Sequence, residues 1–226
     1  MSSEQAIVSP QFVSIAQQRD AARLGIWAFL ITEVMFFGGM FCGYAIYRHA
    51  YPDAFAAGSH KLNVVLGTIN TAVLIGSSFT MALAVRAAQH GTERPRAGKF
   101  ARARNSQGRR QSLLLLATVA AGALFLGIKT FEYYTDYTEH LVPGSHFQFA
   151  ATWLPQVELF FVLYFAMTGL HAVHMAIGMG VILVLVMRQA FGHPPRDNYA
   201  AIEVTGLYWH FVDVIWIFLF PLLYLV

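Results

Sequence analysis

Five titratable residues stand inside long apolar runs of this chain: Glu33 in "LITEVMFFGGMF", His171 and His174 in "TGLHAVHMAIGMG", and His210 and Asp213 in "YWHFVDVIWIFLF". A charge in hydrocarbon is costly enough that each begins as a functional-site hypothesis. An acid and an imidazole can share a proton, stage a proton relay, or tie two helices with one hydrogen bond. His171 and His174 are spaced i, i+3, as are His210 and Asp213, so each pair falls on one helical face. Two histidines without a third ligand nearby are too few for a zinc site, so no metal is assigned. Glu33 reads as a neutral acid joining two helices, or as a lipid-headgroup or proton-linked site. His210 and Asp213 read as an inter-helix or inter-subunit contact, or as one step of proton transfer.

The elements that carry these residues follow from composition. Hydrophobic residues make up 57% of the 226 positions and charged residues 12%. Mean hydropathy is +0.51. A soluble domain carries about 25% charged residues, so an integral membrane protein is indicated. Five stretches, at about 24–48, 62–88, 111–134, 157–187 and 203–226, are long and apolar enough to cross a bilayer core of about 30 Å. Backbone groups in lipid must be satisfied within each span, so all five are helices. The fold class is all-α and polytopic, with 1–23 as an N-terminal segment and 24–226 as a five-helix membrane domain. Residues 1–23 hold no apolar core followed by a cleavage site, so the first membrane helix serves as its own insertion signal.

Charge orients the helices. The segment from Arg86 to Arg110 holds eight of the fifteen Lys and Arg residues and is expected in the cytoplasm. The N-terminus and the 188–202 loop fall on the same side and the C-terminus on the periplasmic side. That leaves only Arg48, Lys61 and Lys129 outside. The basic balance therefore reflects orientation, and no nucleic-acid partner is expected. Helical rise then places Glu33 roughly 15 Å, His174 roughly 21 Å, and His210 and Asp213 roughly 10 and 15 Å from the cytoplasmic surface. A Glu33–His174 hydrogen bond is geometrically possible on that basis.

Other features weigh less. Cys42 is the single cysteine, so no intrachain disulfide forms; it reads as a small buried hydrophobe. Gly38, Gly39, Gly43, Gly169, Gly178 and Gly180 suggest close helix approach or a lipid-lined groove. Asn70 and Thr71 read as interhelical hydrogen-bond formers, Lys129 and Glu132 as a local pair, and Pro221 as a bend.

"YWHFVDVIWIFLF" resembles the last helix of subunit III of the haem–copper oxidases, the cytochrome c oxidase and quinol oxidase group. "EVMFFGGMF", "LNVVLGTINTAVLIGSS", "KTFEYYTD" and "FFVLYFAMTGLHAVHMAIGMGVILVLVMRQ" match further stretches in the family's order. The resemblance covers nearly everything from Leu24 onward. It implies the shorter, five-helix bacterial type, without the first two helices of the mitochondrial form. It further implies an accessory respiratory-chain subunit of the bacterial inner membrane. Such a subunit has no haem or copper of its own, lies directly against subunit I beside subunit II, and holds phospholipid in a cleft. By the same resemblance it supports proton uptake and stability of the catalytic partner. The family's membrane carboxylate and its histidine partner map to Glu33 and His174, and lipid headgroup contacts to Arg188 and His193. A catalytic oxidase subunit needs about six histidines for its haems and copper, whereas the nine here are spread over loops, surfaces and helices. Two other functions stay open at this point: a subunit III-like component of a nitric oxide reductase, and an independent proton channel using Glu33, His174, His210 and Asp213.

Overall fold

The structure, a computed structural model, describes residues 11–92, 101–149, 154–191 and 198–226. Six helices are present among them: α1 (Ile15–Ala50), α2 (Pro52–Ser59), α3 (Val64–Thr92), α4 (Ala101–Thr138), α5 (Leu154–Ala190) and α6 (Asn198–Tyr224). All but α2 are long and apolar enough to cross a membrane. The shortest of the five spans has 26 residues, about 39 Å at the helical rise and more than a bilayer core requires. The chain is thus an all-α, multi-pass membrane protein.

Local chemistry sets the helix ends. Ser14 caps α1 by accepting from the Gln17 amide at 3.2 Å, and the Gln17 side chain accepts from the Val13 amide at 2.8 Å. This S-x-x-Q arrangement satisfies backbone donors that the first turn leaves open. It starts α1 at Ile15, nine residues before the apolar run from which a boundary near 24 is expected. Arg48 and His49 in the last turn complement the helix dipole. Pro52 then opens α2 at its first position, with Asp53 in its first turn. Asn63 caps α3 through the Leu66 amide at 3.1 Å.

Helices α3, α4, α5 and α6 form a bundle in which α3 and α5 each pack against both α4 and α6. α3 and α6 run antiparallel: Gly67 meets Phe220 and Tyr224, Thr71 bonds Trp216, Ser77 bonds Trp209, and Gly206 meets Val85. A Cβ on Gly67 would stand 2.7 Å from the Phe220 ring, and one on Gly178 3.0 Å from Tyr208, so glycine permits both approaches. α1 lies outside the bundle against α5 and α6, and α2 packs its Phe55 ring edge-on to Phe160 of α5. Only 11% of the α1 membrane window is buried, against 44% for α6. α6 is therefore the shared wall and α1 the loose element. Large apolar side chains such as Trp27, Phe79, Phe131, Ile177 and Phe218 face outward, as a lipid solvent requires.

Three expectations are corrected. Cys42 is exposed on α1 rather than buried, because so little of that helix is covered. Gly38, Gly39, Gly43 and Gly180 face open space and mediate no close approach. Lys129 is not an outer-surface cation but a buried residue, 3% exposed, inside α4.

Candidate functional site

The joint between α1 and the bundle is built at three levels. Arg23 of α1 pairs with Glu203 of α6 at 3.0 Å near one end. Tyr44 donates to the Leu222 carbonyl at 2.6 Å near the other. Between them His174 Nε2 of α5 lies 3.2 Å from Glu33 Oε2 of α1, with both side chains less than a fifth exposed. His174 Nδ1 stands 2.8 Å from the Leu170 carbonyl. A carbonyl only accepts, so Nδ1 carries a proton and donates it. Nε2 is then either an acceptor for a protonated Glu33 or the second donor of an imidazolium to a carboxylate. One proton moves between these two arrangements without any heavy atom moving. The Phe37 ring of α1 meets the His174 imidazole edge-on at 5.4 Å, and Tyr208 of α6 donates to the His174 backbone carbonyl at 2.9 Å.

The remaining candidates separate. His171 turns away from His174 into the bundle interior, 1% exposed between Phe125 and Trp216, so the two histidines do not share a ligand face. Among the described residues no three His, Cys, Asp or Glu side chains gather as metal ligands would. His210 does not bond Asp213; its Nδ1 lies 2.7 Å from Ser78 Oγ and ties α6 to α3. Asp213 is buried beside the Ser78 hydroxyl, with no well-formed hydrogen bond of its own. Thr71 reaches across to Trp216 at 3.0 Å, but Asn70 beside it has no partner. Arg188 is exposed in the last turn of α5. His193 lies outside the described residues.

The expected Lys129–Glu132 pair is present, at the centre of a larger site that the sequence reading did not contain. Lys129 Nζ donates to Glu132 Oε2 at 2.9 Å, Tyr164 Oη at 3.1 Å and Tyr224 Oη at 2.8 Å, while Tyr224 Oη donates to Glu132 Oε1 at 2.7 Å. The three ammonium protons are all used, as a buried charge requires. Nζ also sits within 5.5 Å of the ring centroids of Tyr133, Tyr164, Trp216 and Tyr224. This quartet joins α4, α5 and α6. The available signal was the i, i+3, i+7 spacing of Lys129, Glu132 and Asp136, which puts three charged residues on one face of a membrane helix.

Comparisons with known proteins decide the family. The model of cytochrome c oxidase subunit III matches residues 11–226. The chain is 32% identical to cytochrome c oxidase subunit 3 of Thermostichus vulcanus over 227 residues, 98% of each chain. It is 32% identical over 207 residues to that of Synechocystis sp., covering 91% of this chain and 76% of the relative. A probable quinol oxidase subunit 3 of Staphylococcus saprophyticus is 26% identical over 90% of this chain and 88% of its own length. The chain belongs to the cytochrome c oxidase subunit III family. As a subunit III it associates with other oxidase subunits, and both sites above lie within the region that the family model covers. The buried quartet of this subunit III lies wholly within the α3–α6 bundle, whereas the Glu33–His174 pair spans the joint to α1.

Proposed function

We propose that this chain is the accessory, non-catalytic subunit III of a haem–copper terminal oxidase, in which oxygen reduction and proton translocation belong to its partners. It packs directly beside subunit I, with subunit II in the same complex, and haem and copper reside in those partner chains. The joint between α1 and the bundle holds phospholipid, and this support keeps proton uptake and stability in subunit I from failing during turnover.

The observation that carries this reading is the Glu33–His174 pair, an acid–imidazole contact at 3.2 Å in a half-open joint between a loose helix and a packed bundle. Gly38, Gly39 and Gly43 leave the neighbouring face of α1 open to an acyl chain. Arg188, exposed in the last turn of α5, supplies a cationic end suited to a lipid phosphate. His210 acts as a structural clamp through Ser78, and Asp213 lies apart from the lipid joint. With Lys129 buried, the basic residues of the N-terminus, of 86–110 and of 188–196 outweigh Arg48 and Lys61 still more strongly. The N-terminus is accordingly cytoplasmic and the C-terminus periplasmic, in a bacterial plasma membrane.

The independent channel finds no support in the geometry, since Glu33–His174 and His210–Ser78 are separate contacts that do not join into one path. The test is oxidase purified with and without this chain. The depleted complex should start at a comparable rate of oxygen consumption, lose activity faster during sustained turnover, and carry less phospholipid. Equal durability and equal lipid content would refute the accessory role.

A further inference from the structure

Each helix of the α3–α6 bundle contributes one buried polar side chain with unmet hydrogen-bonding capacity. They are Asn70 of α3, Asp136 of α4, His171 of α5 and Asp213 of α6, all 5% exposed or less. Both amide atoms of Asn70, both ring nitrogens of His171 and Oδ2 of Asp136 lack a protein partner, and the Asp213 carboxyl meets the Ser78 hydroxyl, which His210 already engages. Burying such groups without partners is costly, and native interiors meet them with ordered water.

The four are grouped around the quartet rather than scattered. The His171 ring lies 5.3 Å from Trp216 and 5.5 Å from Phe125, and Lys129 Nζ lies 5.4 Å from the Trp216 ring. Asn70 lies on α3 at the level of Trp216, whose indole Thr71 holds at 3.0 Å. Asp136 follows Glu132 by one turn of α4. Asp213 precedes Trp216 by one turn of α6, beside Ser78, whose hydroxyl His210 engages. At the helical rise, the column from Asp136 past Lys129 to Asp213 is about 15 Å long.

The chemistry of the lining selects the occupant. A cation would meet the Lys129 ammonium, and an anion would meet Glu132, Asp136 and Asp213. An amide, an imidazole and carboxylates together call for a neutral molecule that both donates and accepts. We propose that ordered water occupies the interior of the α3–α6 bundle, bound by Asn70, His171, Asp136 and Asp213 around the Lys129–Glu132 pair. A buried water makes about three hydrogen bonds, which groups on several facing helices can supply. The bundle interior then holds exchangeable protons between the quartet and Asp213, in a part of the subunit separate from the lipid joint.

Hydroxyl-radical footprinting by brief X-ray exposure of the intact complex tests this, because radicals born from bound water oxidise the side chains beside it. Trp216 and Met81 are both fully buried, and a thioether is intrinsically at least as reactive as an indole. Trp216 should nevertheless oxidise at least about tenfold faster, since Met81 stands eleven residues, about 16 Å, along α3 from Asn70. In a His171→Phe, Asn70→Leu double variant, Trp216 labelling should fall to the Met81 level while the exposed Tyr137 keeps its rate. Equal protection of Trp216 and Met81 in the native complex would overturn the proposal, and this comparison needs no variant. Undiminished Trp216 labelling in an assembled double variant would overturn it as well.

Discussion

The Lys129 quartet and the Glu33–His174 pair each join an acid to a base within membrane-spanning helices, yet they are built in opposite ways. The Lys129 and Glu132 side chains are 3% and 4% exposed, and the quartet closes on itself with every ammonium proton spent. The His174 and Glu33 side chains are 16% and 18% exposed, sit at the rim of the bundle, and meet in a single contact. The contrast teaches that a membrane charge is not functional by virtue of depth alone. Saturated and sealed among three helices, it is a fastener. At the more open joint to α1 it is a single, partly exposed contact.

The largest effect should come from opening the quartet on one side. Lys129→Ala leaves Glu132 buried without its cation and should cost about 3–5 kcal/mol, seen as loss of the subunit from the purified complex. A Lys129→Met, Glu132→Leu pair should recover most of that, because apolar replacement of both partners of a buried pair is often neutral. If the single variant assembled as well as the native chain, the quartet would not be a fastener. Next in size is Tyr224→Phe, which removes one acceptor from Lys129 and one donor from Glu132. It should cost about 1–3 kcal/mol, read as a lower unfolding temperature of the complex.

The rim pair should be far more forgiving. Glu33→Gln can still donate to His174 Nε2, so stability should change by less than about 1 kcal/mol, with assembly and oxygen consumption retained. Failure to assemble would mean that an ionised Glu33 is needed to dock α1, and the contrast with the quartet would collapse. Smallest in stability is Arg188→Ala, an exposed change expected to fall within about 0.5 kcal/mol. Its effect should appear instead as less phospholipid by mass spectrometry of the complex. Unchanged lipid would remove Arg188 from the lipid site.

Much of the rim pair is legible in the amino-acid sequence, because Glu33 and His174 lie on oppositely directed spans at similar depths and helical rise is constant. The quartet is not. Lys129 and Glu132 are neighbours in sequence and read as a local pair near a helix end, whereas the groups that seal them, Tyr164 and Tyr224, are 35 and 95 residues from Lys129. The i, i+3 pattern of His210 and Asp213 misleads for the opposite reason. A shared helical face allows a contact but does not create one, and Ser78 from α3 takes the histidine. α2 escapes a hydropathy reading because an eight-residue helix of mixed composition carries no such signal. Pro52 and Asp53 at its start are the only local marks.

Spans, helical state and subunit family were determined by the sequence itself. Lipid denies the backbone any partner outside its own segment, so about twenty apolar residues in a row leave only a helix available. Only the tertiary structure decided which polar groups meet, which are sealed and which stand at an open edge. That depends on rotation of each helix about its axis, and rotation is settled by packing of side chains such as Trp209, Trp216 and Phe125 at the seams between helices.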